Sequence, residues 1–337
     1  MPTKNIHTIN ASSYKFLSLK NTAQLSKLLY FEFANFVEII EFASYREFNI
    51  PKANGGKRII EAPNENLLCI QKMVNVYLQA IYYKIKPNPV YGFVISAKGE
   101  LQAHSIISNA QNHVGKNFVL NIDLKDFFHS ISAVKVRELF QRAPFNFTKE
   151  LATCLALICC WNKRLPMGAP TSPVVSNLYC LLLDYQLLEI SNKYSLVYTR
   201  YADDLTFSSE FQIQEDAIAQ IKNVISENKF LINERKFRLQ SKYRQQTVTG
   251  IKVNQKTNVD RCYIRNIRAI LNDIKWNGLE KAAIKHYKPK EADDKMVNRL
   301  LLSITGKINF IGQVRGKTDL VYTKLRQELG RITLVEV

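Results

Sequence analysis

LVYTRYADDLTFSS, residues 196–209, decides how the rest of the chain is read. Val, Tyr, Thr and Phe fill both flanks, and such residues favour strands. Asp203 and Asp204 stand side by side in the middle. Adjacent carboxylates repel each other, so they must stay hydrated or meet positive charge. The stretch reads as strand, tight turn, strand, with the acids at the turn. A solvated turn explains a lone YADD as well as a metal site does. The surrounding sequence has to choose.

A further acid comes from NFVLNIDL, residues 117–124. Phe118, Leu120, Ile122 and Leu124 alternate against Val119, Asn121 and Asp123, which is a strand with its acid opposite the apolar set. If the two strands neighbour each other, Asp123 and Asp203 meet. Hard oxygen ligands from two strand ends suit Mg²⁺. Two such ions about 4 Å apart activate a hydroxyl and stabilise a leaving pyrophosphate.

The elements around these strands follow from local signals. Residues 22–46 carry apolar positions at helical spacing. NIPKANGGKRIIEAP (49–63) is a β-hairpin, with Asn54, Gly55 and Gly56 as turn chemistry and Lys52, Lys57 and Arg58 on its arms. A helix is expected over about 65–84, and Ser132 caps one that runs to about Gln141. LPMGAPTSP (165–173) is a loop from which Ser172 at the N-cap and Pro173 at N1 open a long helix to about Ile190. A helix over about 214–228 and a strand pair near 246–263 follow, and the remainder is helical and basic. Helices separated by antiparallel strands indicate an α+β fold.

Bulk composition narrows the function. Among 337 residues, 47 Lys and Arg face 29 Asp and Glu, a net charge of +18. Such a balance points to a polyanion, nucleic acid first and an anionic membrane surface second. Apolar residues at 46% exclude a disordered chain. The longest nearly apolar run, LATCLALICCW (151–161), is too short to cross a bilayer and reads as a buried helix. The N-terminus lacks the apolar core of a secretory signal. Six cysteines without a CxxC pair fit neither a zinc site nor a disulfide framework, so reduced thiols and a cytoplasmic location are expected.

In RCYIRNIRAILNDIK, Arg261, Arg265 and Arg268 fall on one helical ridge, and Ile264, Ile267, Leu271 and Ile274 on another face. Lys281, Lys285, Lys288, Lys290, Lys295 and Arg299 follow. The ridge is either a phosphate-tracking surface or a solvated helix face. Trp276 and Tyr287 offer stacking surfaces, with ordinary packing as the alternative.

IDLKDFF, LPMGAPTSPVVSN, RYADDLTF and NERK occur in this order, after a basic hairpin. The set resembles a reverse transcriptase. NAQNH (109–113) and VTG (248–250) are similar to two elements of the bacterial retron reverse transcriptases, and the resemblance runs from about residue 50 to 315. It implies a right-hand polymerase: an N-terminal helical segment (1–48), fingers (49–116), a palm of antiparallel sheet plus helices (117–250, with finger and palm helices at 132–165), and a basic helical thumb (251–337).

The resemblance also implies residue roles. Asp123 and Asp203 are the main metal ligands, Asp204 is the second acid of the motif, and Leu124 is the fourth member of the metal set. Two Mg²⁺ ions are the implied cofactor, with Mn²⁺ as a substitute. Lys236 matches a lysine that protonates pyrophosphate, and Lys52 and Arg58 match cations that hold the incoming dNTP. Phe128 matches the bulky residue that blocks a ribose 2′-hydroxyl. Met167 and Gly168 belong to the nucleotide loop, where the family usually has Gln in place of Met167. Asn109, His113, Val248, Thr249, Gly250, Arg261, Arg265 and Arg268 are the implied RNA-binding set, with Asn109 and His113 placed so that one helical turn could aim both at a polymer strand. YGFVISAKGELQAHSII (91–107) looks longer than its counterpart in the family.

The implied activity copies a cognate noncoding RNA, which is both template and primer, into single-stranded DNA. Priming from an internal 2′-hydroxyl gives a branched RNA–DNA, msDNA. The implied partners are that RNA, its DNA product, dNTPs, a separate effector protein in anti-phage defence, and a host ribonuclease H, since little chain is left for such a domain; no membrane is implied. Two other readings compete: another bacterial defence-associated or group II intron-like reverse transcriptase, and a non-catalytic RNA-binding scaffold.

Overall fold

The computed structural model describes residues 5–51, 55–100, 104–287 and 293–335. The chain forms two compact units. The first comprises residues 1–108 and 118–239, the second residues 109–117 and 240–337.

The first unit opens with helices Ile6–Leu17, Thr22–Leu28 and Phe33–Glu41. The helical stretch expected over 22–46 is therefore broken. Tyr30 takes a positive φ of 59° just after the second helix, and the first strand has begun by residue 45. Strands β1 (Tyr45–Pro51) and β2 (Lys57–Pro63) pair antiparallel, with Ile50 opposite Arg58. Asn64 caps the helix Glu65–Ile85 by accepting from the Leu67 N–H.

The central sheet contains β3 (Phe118–Lys125), β4 (Val197–Tyr201), β5 (Asp204–Ser209) and β6 (Leu231–Ile232), in the order β4-β5-β3-β6. A further strand, β7 (Arg238–Ser241), pairs with β3. Helices Leu181–Lys193 and Glu215–Glu227 pack on it. Leu120, Ile122, Leu205 and Phe207 are buried in this layer, and Tyr198 stacks on Phe207 at 4.9 Å between ring centroids. Each such side chain contributes about 1.5–3 kcal/mol by leaving water. Val119, expected on the polar side of β3, is also buried, so the strand is covered on both faces.

Two helix starts are instructive. Ser132 caps Ala133–Gln141 as expected, its hydroxyl accepting from the Lys135 N–H. Ser172 does not cap. Its hydroxyl donates to the Pro166 carbonyl at 2.7 Å, and the helix from Ser172 stops at Tyr179, with a second one starting at Leu181.

In the second unit, β8 (Thr247–Val248) and β9 (Ile251–Lys252) form a short hairpin. Helices Arg261–Tyr287, Asp294–Arg315 and Leu320–Val335 follow. Ile267, Leu271, Ile274, Leu300, Ile304 and Ile308 are buried among them. Gly312 permits a close approach: a Cβ there would lie 2.6 Å from the Tyr322 ring. The first of these helices is not continuous. Gly278 has φ 80° and ψ 165°, and Lys285 reaches Asp273 at 3.0 Å. A straight helix would separate those residues by about 18 Å, so the chain bends at Gly278. Residues 109–117 join this unit through its backbone, the Gly115 N–H donating to the Val253 carbonyl and the Lys242 N–H to the Asn117 carbonyl. Among the described residues, no helix is long and apolar enough to cross a membrane.

Candidate active site

The register of β3 and β5 places Asp123 opposite Asp204. Directly paired residues share a sheet face, with Cβ atoms about 4.5–5.5 Å apart. Asp203 lies in the two-residue turn between β4 and β5, after Ala202 at φ 58°. Its carbonyl accepts from the Leu124 N–H at 3.0 Å, which ties the turn to β3. Three acids from two chain regions thus converge, all in the first unit.

Asp123 is the most constrained of them. Its Oδ2 pairs with Lys236 Nζ at 2.6 Å and its Oδ1 accepts from Asn233 Nδ2 at 2.9 Å. The Asn233 N–H also donates to the Asp123 carbonyl at 2.8 Å. Lys236 ends the 3₁₀ turn Glu234–Lys236, so the NERK stretch delivers both partners. Asn233 escaped the sequence reading although it lay inside a quoted motif, because its role depends on a sheet contact across 110 positions.

Asp203 and Asp204 are left short of positive charge. Burial pushes Asp203 above the ordinary carboxylate range, and the Asp123 charge adds to the rise. Burial and then the charges of Asp203 and Asp123 push Asp204 up to about 6. Burial works against the Lys236 ammonium, but the hydrogen bond to Asp123 and the three acids raise its pKa above the ordinary value. Desolvated hard oxygens that repel one another are the chemistry of a divalent-cation site. Among the described residues, no three His, Cys, Asp or Glu side chains are grouped so as to hold a metal ion, and Asp123 is paired with Lys236. The carboxylate oxygens of Asp123, Asp203 and Asp204 are the donor type that suits a divalent ion.

The other nucleotide candidates sit on β2, on the turn after β3 and on the 165–168 loop. Arg58 is exposed on β2, and its charge acts on Asp203. Lys52 lies outside the described residues. Phe128 is half-buried, against Phe127 at 5.4 Å and Phe93 at 6.2 Å.

Met167 acts through its backbone. Its N–H donates to Glu61 Oε2 at 3.0 Å, and its carbonyl accepts from the Glu61 N–H at 2.8 Å. Glu61 also receives Arg164 Nη1 at 3.0 Å and lies 3.1 Å from His129 Nε2. Burial would raise the Glu61 carboxyl, yet these partners together hold it below the ordinary range. Gly168 is required beside it, since a Cβ there would lie 2.5 Å from the Glu61 carbonyl oxygen. Glu61 and His129 were not found by sequence reasoning; an acid in a strand facing a loop more than a hundred positions away leaves no local signal.

The RNA-binding candidates divide into exposed and buried groups. Arg261, Arg265 and Arg268 are exposed along one face. Asn109 and His113 do not share a helical turn aimed at a polymer: the helix ends at Gln111, and the two residues are 1% and 0% exposed. Burial pushes the His113 imidazole down to about 3, which keeps it neutral. Val248 is also buried. Thr249 and Gly250 form the β8–β9 turn at φ 47° and 81°. A β-branched residue at positive φ is uncommon and strained.

Comparison with known proteins agrees with this geometry. Residues 50–253 match the family described as reverse transcriptase (RNA-dependent DNA polymerase). The chain is 35% identical over 235 residues to the Retron Ec86 reverse transcriptase of Escherichia coli, covering 68% of this chain and 70% of that one. It is 32% identical over 247 residues to the Retron Mx65 reverse transcriptase of Myxococcus xanthus, covering 68% and 55%. It is 31% identical over 286 residues to the Retron Mx162 reverse transcriptase of Myxococcus xanthus, covering 74% and 56%. The chain thus spans just over half the length of the latter two. An antiparallel sheet that carries three acids, on a right-hand polymerase fold, within the matched region identifies the chain as a member of the retron reverse transcriptases, RNA-directed DNA polymerases.

Proposed function

We propose that the chain copies part of a cognate noncoding RNA into single-stranded DNA, primed from an internal 2′-hydroxyl of that RNA to give a branched msDNA. The observation that carries the catalytic reading is the register pairing of Asp123 with Asp204, with Asp203 in the adjoining turn. Two Mg²⁺ ions, or Mn²⁺, held by Asp123 and Asp203 with Asp204 and Leu124 alongside, would supply activation of the primer hydroxyl and neutralisation of the leaving pyrophosphate.

The chain's own residues do the rest. Arg58 and Lys52 hold the triphosphate by charge. Lys236, protonated through its contact with the acids, donates a proton to the departing pyrophosphate. Phe128 fills the space where a ribose 2′-hydroxyl would sit and so selects dNTPs. The Glu61 hub keeps the Met167–Gly168 loop in register with β2.

We assign residues 1–48 to an N-terminal helical segment, 49–116 to fingers, 117–250 to palm and 251–337 to thumb. Arg261, Arg265 and Arg268 contact RNA phosphates from the thumb. Asn109, His113, Val248, Thr249 and Gly250 belong to the same unit as that surface and complete the RNA-binding set from within it. The net charge of +18 supports a nucleic-acid partner. In this reading the enzyme works in the cytoplasm in anti-phage defence, with a separate effector protein, and a host ribonuclease H removes template RNA.

The test is primer extension on the RNA co-purified with the chain, with Mg²⁺ and dNTPs. Wild type should yield DNA covalently joined to RNA, and Asp203→Ala should yield none. Equal absence of product from both, across metals and templates, would favour an RNA-binding scaffold; a linear product would remove the 2′-primed reading.

A further inference from the structure

Arg200 is the largest fully buried side chain among the described residues. It stands on β4, two positions before Ala202, and has no route to a substrate. Its Nε and Nη2 each donate to the Asp184 carboxylate at 2.7 Å, a forked pair closed to solvent on both sides. Tyr198 adds its hydroxyl to the same carboxylate at 2.8 Å. The remaining nitrogen, Nη1, donates to Asn177 Oδ1 at 2.9 Å and to the Ala202 carbonyl at 3.2 Å. Asn177 in turn donates from Nδ2 to the Gly92 carbonyl at 2.9 Å.

Gly92 closes the circuit. The segment before it runs beside β4, with the Arg200 N–H donating to the Pro89 carbonyl and the Tyr91 N–H to the Arg200 carbonyl, both at 2.9 Å. At its end Gly92 presses on the turn: a Cβ there would lie 2.4 Å from the Ala202 nitrogen and 3.0 Å from the Tyr201 carbonyl carbon. The turn is therefore held through both of its carbonyls. Ala202 O takes the Arg200 guanidinium, and Asp203 O takes the Leu124 N–H. Gly92 seals it from the side, while Ala202 keeps a φ of 58° that glycine adopts more readily.

A buried ion pair is often replaceable by apolar residues without loss of stability, so stability alone gives little reason to keep one. What apolar residues cannot supply is a directed donor to a turn carbonyl. We infer that Arg200, Asp184 and Asn177 are positioning residues, a buried brace that acts through Gly92 and the Ala202 carbonyl to fix where the turn presents Asp203 and Asp204. The inference rests on the reading of those two acids as the polymerase acids. The break between helices Ser172–Tyr179 and Leu181–Lys193 belongs to the same device, since one helix supplies Asn177 and the other Asp184.

Two variants of the full chain disturb the turn from opposite sides. Asn177→Asp keeps an acceptor for Arg200 but sets an oxygen against the Gly92 carbonyl. Gly92→Ala leaves the ion pair whole and drives a methyl into Ala202. Single-nucleotide extension gives kcat and the KM for dNTP, fluorescence anisotropy gives template–primer affinity, and near-UV circular dichroism reports the fold. Each folded variant should lose kcat by about tenfold or more, as small misplacements of reacting groups do, with KM and template affinity within about threefold of wild type. Adding Ala202→Gly to Asn177→Asp should raise kcat above that of the single variant, because the turn then reaches its conformation without the clamp.

A folded Asn177→Asp or Gly92→Ala protein with wild-type kcat overturns the inference. So does a loss shared equally by kcat and template affinity that tracks the folded fraction. If neither variant folds, Tyr198→Phe decides, with a fall in kcat supporting the brace and full activity refuting it. Asp203→Asn separates the two levels: if it stays active, the assignment of the acids fails, whereas an inactive Asp203→Asn beside a fully active Asn177→Asp removes only the brace.

Discussion

Replacing Glu61 by Ala tests the hub that joins β2 to the 165–168 loop. Glu61 is 1% exposed, and its carboxylate accepts from Arg164 and from the Met167 N–H while facing His129. Removing one partner of a buried charge pair costs about 3–5 kcal/mol. Here the Arg164 side chain is 30% exposed and that of His129 28%, so both can turn to water. With that screening, the loss for Glu61→Ala comes to about 2–3 kcal/mol. In a unit of this size it lowers Tm by roughly 5–10 °C. Glu61→Gln should cost about half as much, because the amide oxygen still accepts from the Met167 N–H while the charge is gone.

The functional consequence is separate from the stability loss. Without Glu61, the strand that carries Arg58 and the loop that carries Gly168 are no longer registered side by side. The KM for dNTP should rise by about tenfold, with a smaller fall in kcat. Thermal denaturation and single-nucleotide extension on the same preparations measure both. A Glu61→Ala protein within about 0.5 kcal/mol of wild type, or a destabilised one with unaltered KM, would refute the hub.

The remaining predictions address the acids, the sugar gate and the cationic ridge. Without divalent ions, Asp204 is protonated in the folded chain up to about pH 6 and ionised in the unfolded chain above its ordinary 3.8. Stability therefore falls as pH rises between those values and stays low above them. Asp204→Asn should stabilise the metal-free protein at pH 7 by on the order of 3 kcal/mol and leave it unchanged near pH 4, as thermal melts in chelator will read; equal melts at both pH values would remove the charge repulsion. Phe128→Val should admit ribonucleotides, measured as the ratio of kcat/KM for dNTP and rNTP; an unaltered ratio ends its gate role. Arg261→Glu with Arg265→Glu should weaken RNA binding and flatten its dependence on salt, and an unchanged slope in anisotropy titrations would make the ridge a plain solvated face.

What the sequence disclosed is what local chemistry can encode. Ser132 caps a helix because capping needs only a hydroxyl and the next turn. The alternation in β3 placed Asp123 on a strand beside the acid pair, because period-two patterning survives any tertiary context. Ser172 looked like a cap for the same local reasons, and a carbonyl six residues back outcompeted the helix for its hydroxyl. The break at Gly278 was hidden by an apolar period that continues across it. Asn109 and His113 were placed on one helical turn because their i, i+4 spacing allows it, and nothing in five residues reveals that the helix stops at Gln111 and that both side chains are buried. Glu61, Asn233 and Arg200 were invisible for a related reason: each earns its role from partners that only the folded topology brings near.

The excursion of residues 109–117 into the second unit bears on how the molecule is made. During synthesis these nine positions leave the ribosome well before the backbone that will receive them, and Gly115 has no Val253 to bond until most of the chain has been translated. Strand β3 follows them directly in the chain, so its neighbours in the first unit are made before the backbone that residues 109–117 bond to. A chain cut after residue 239 would leave residues 109–117 without the backbone partners, Lys242 and Val253, that they bond in the second unit.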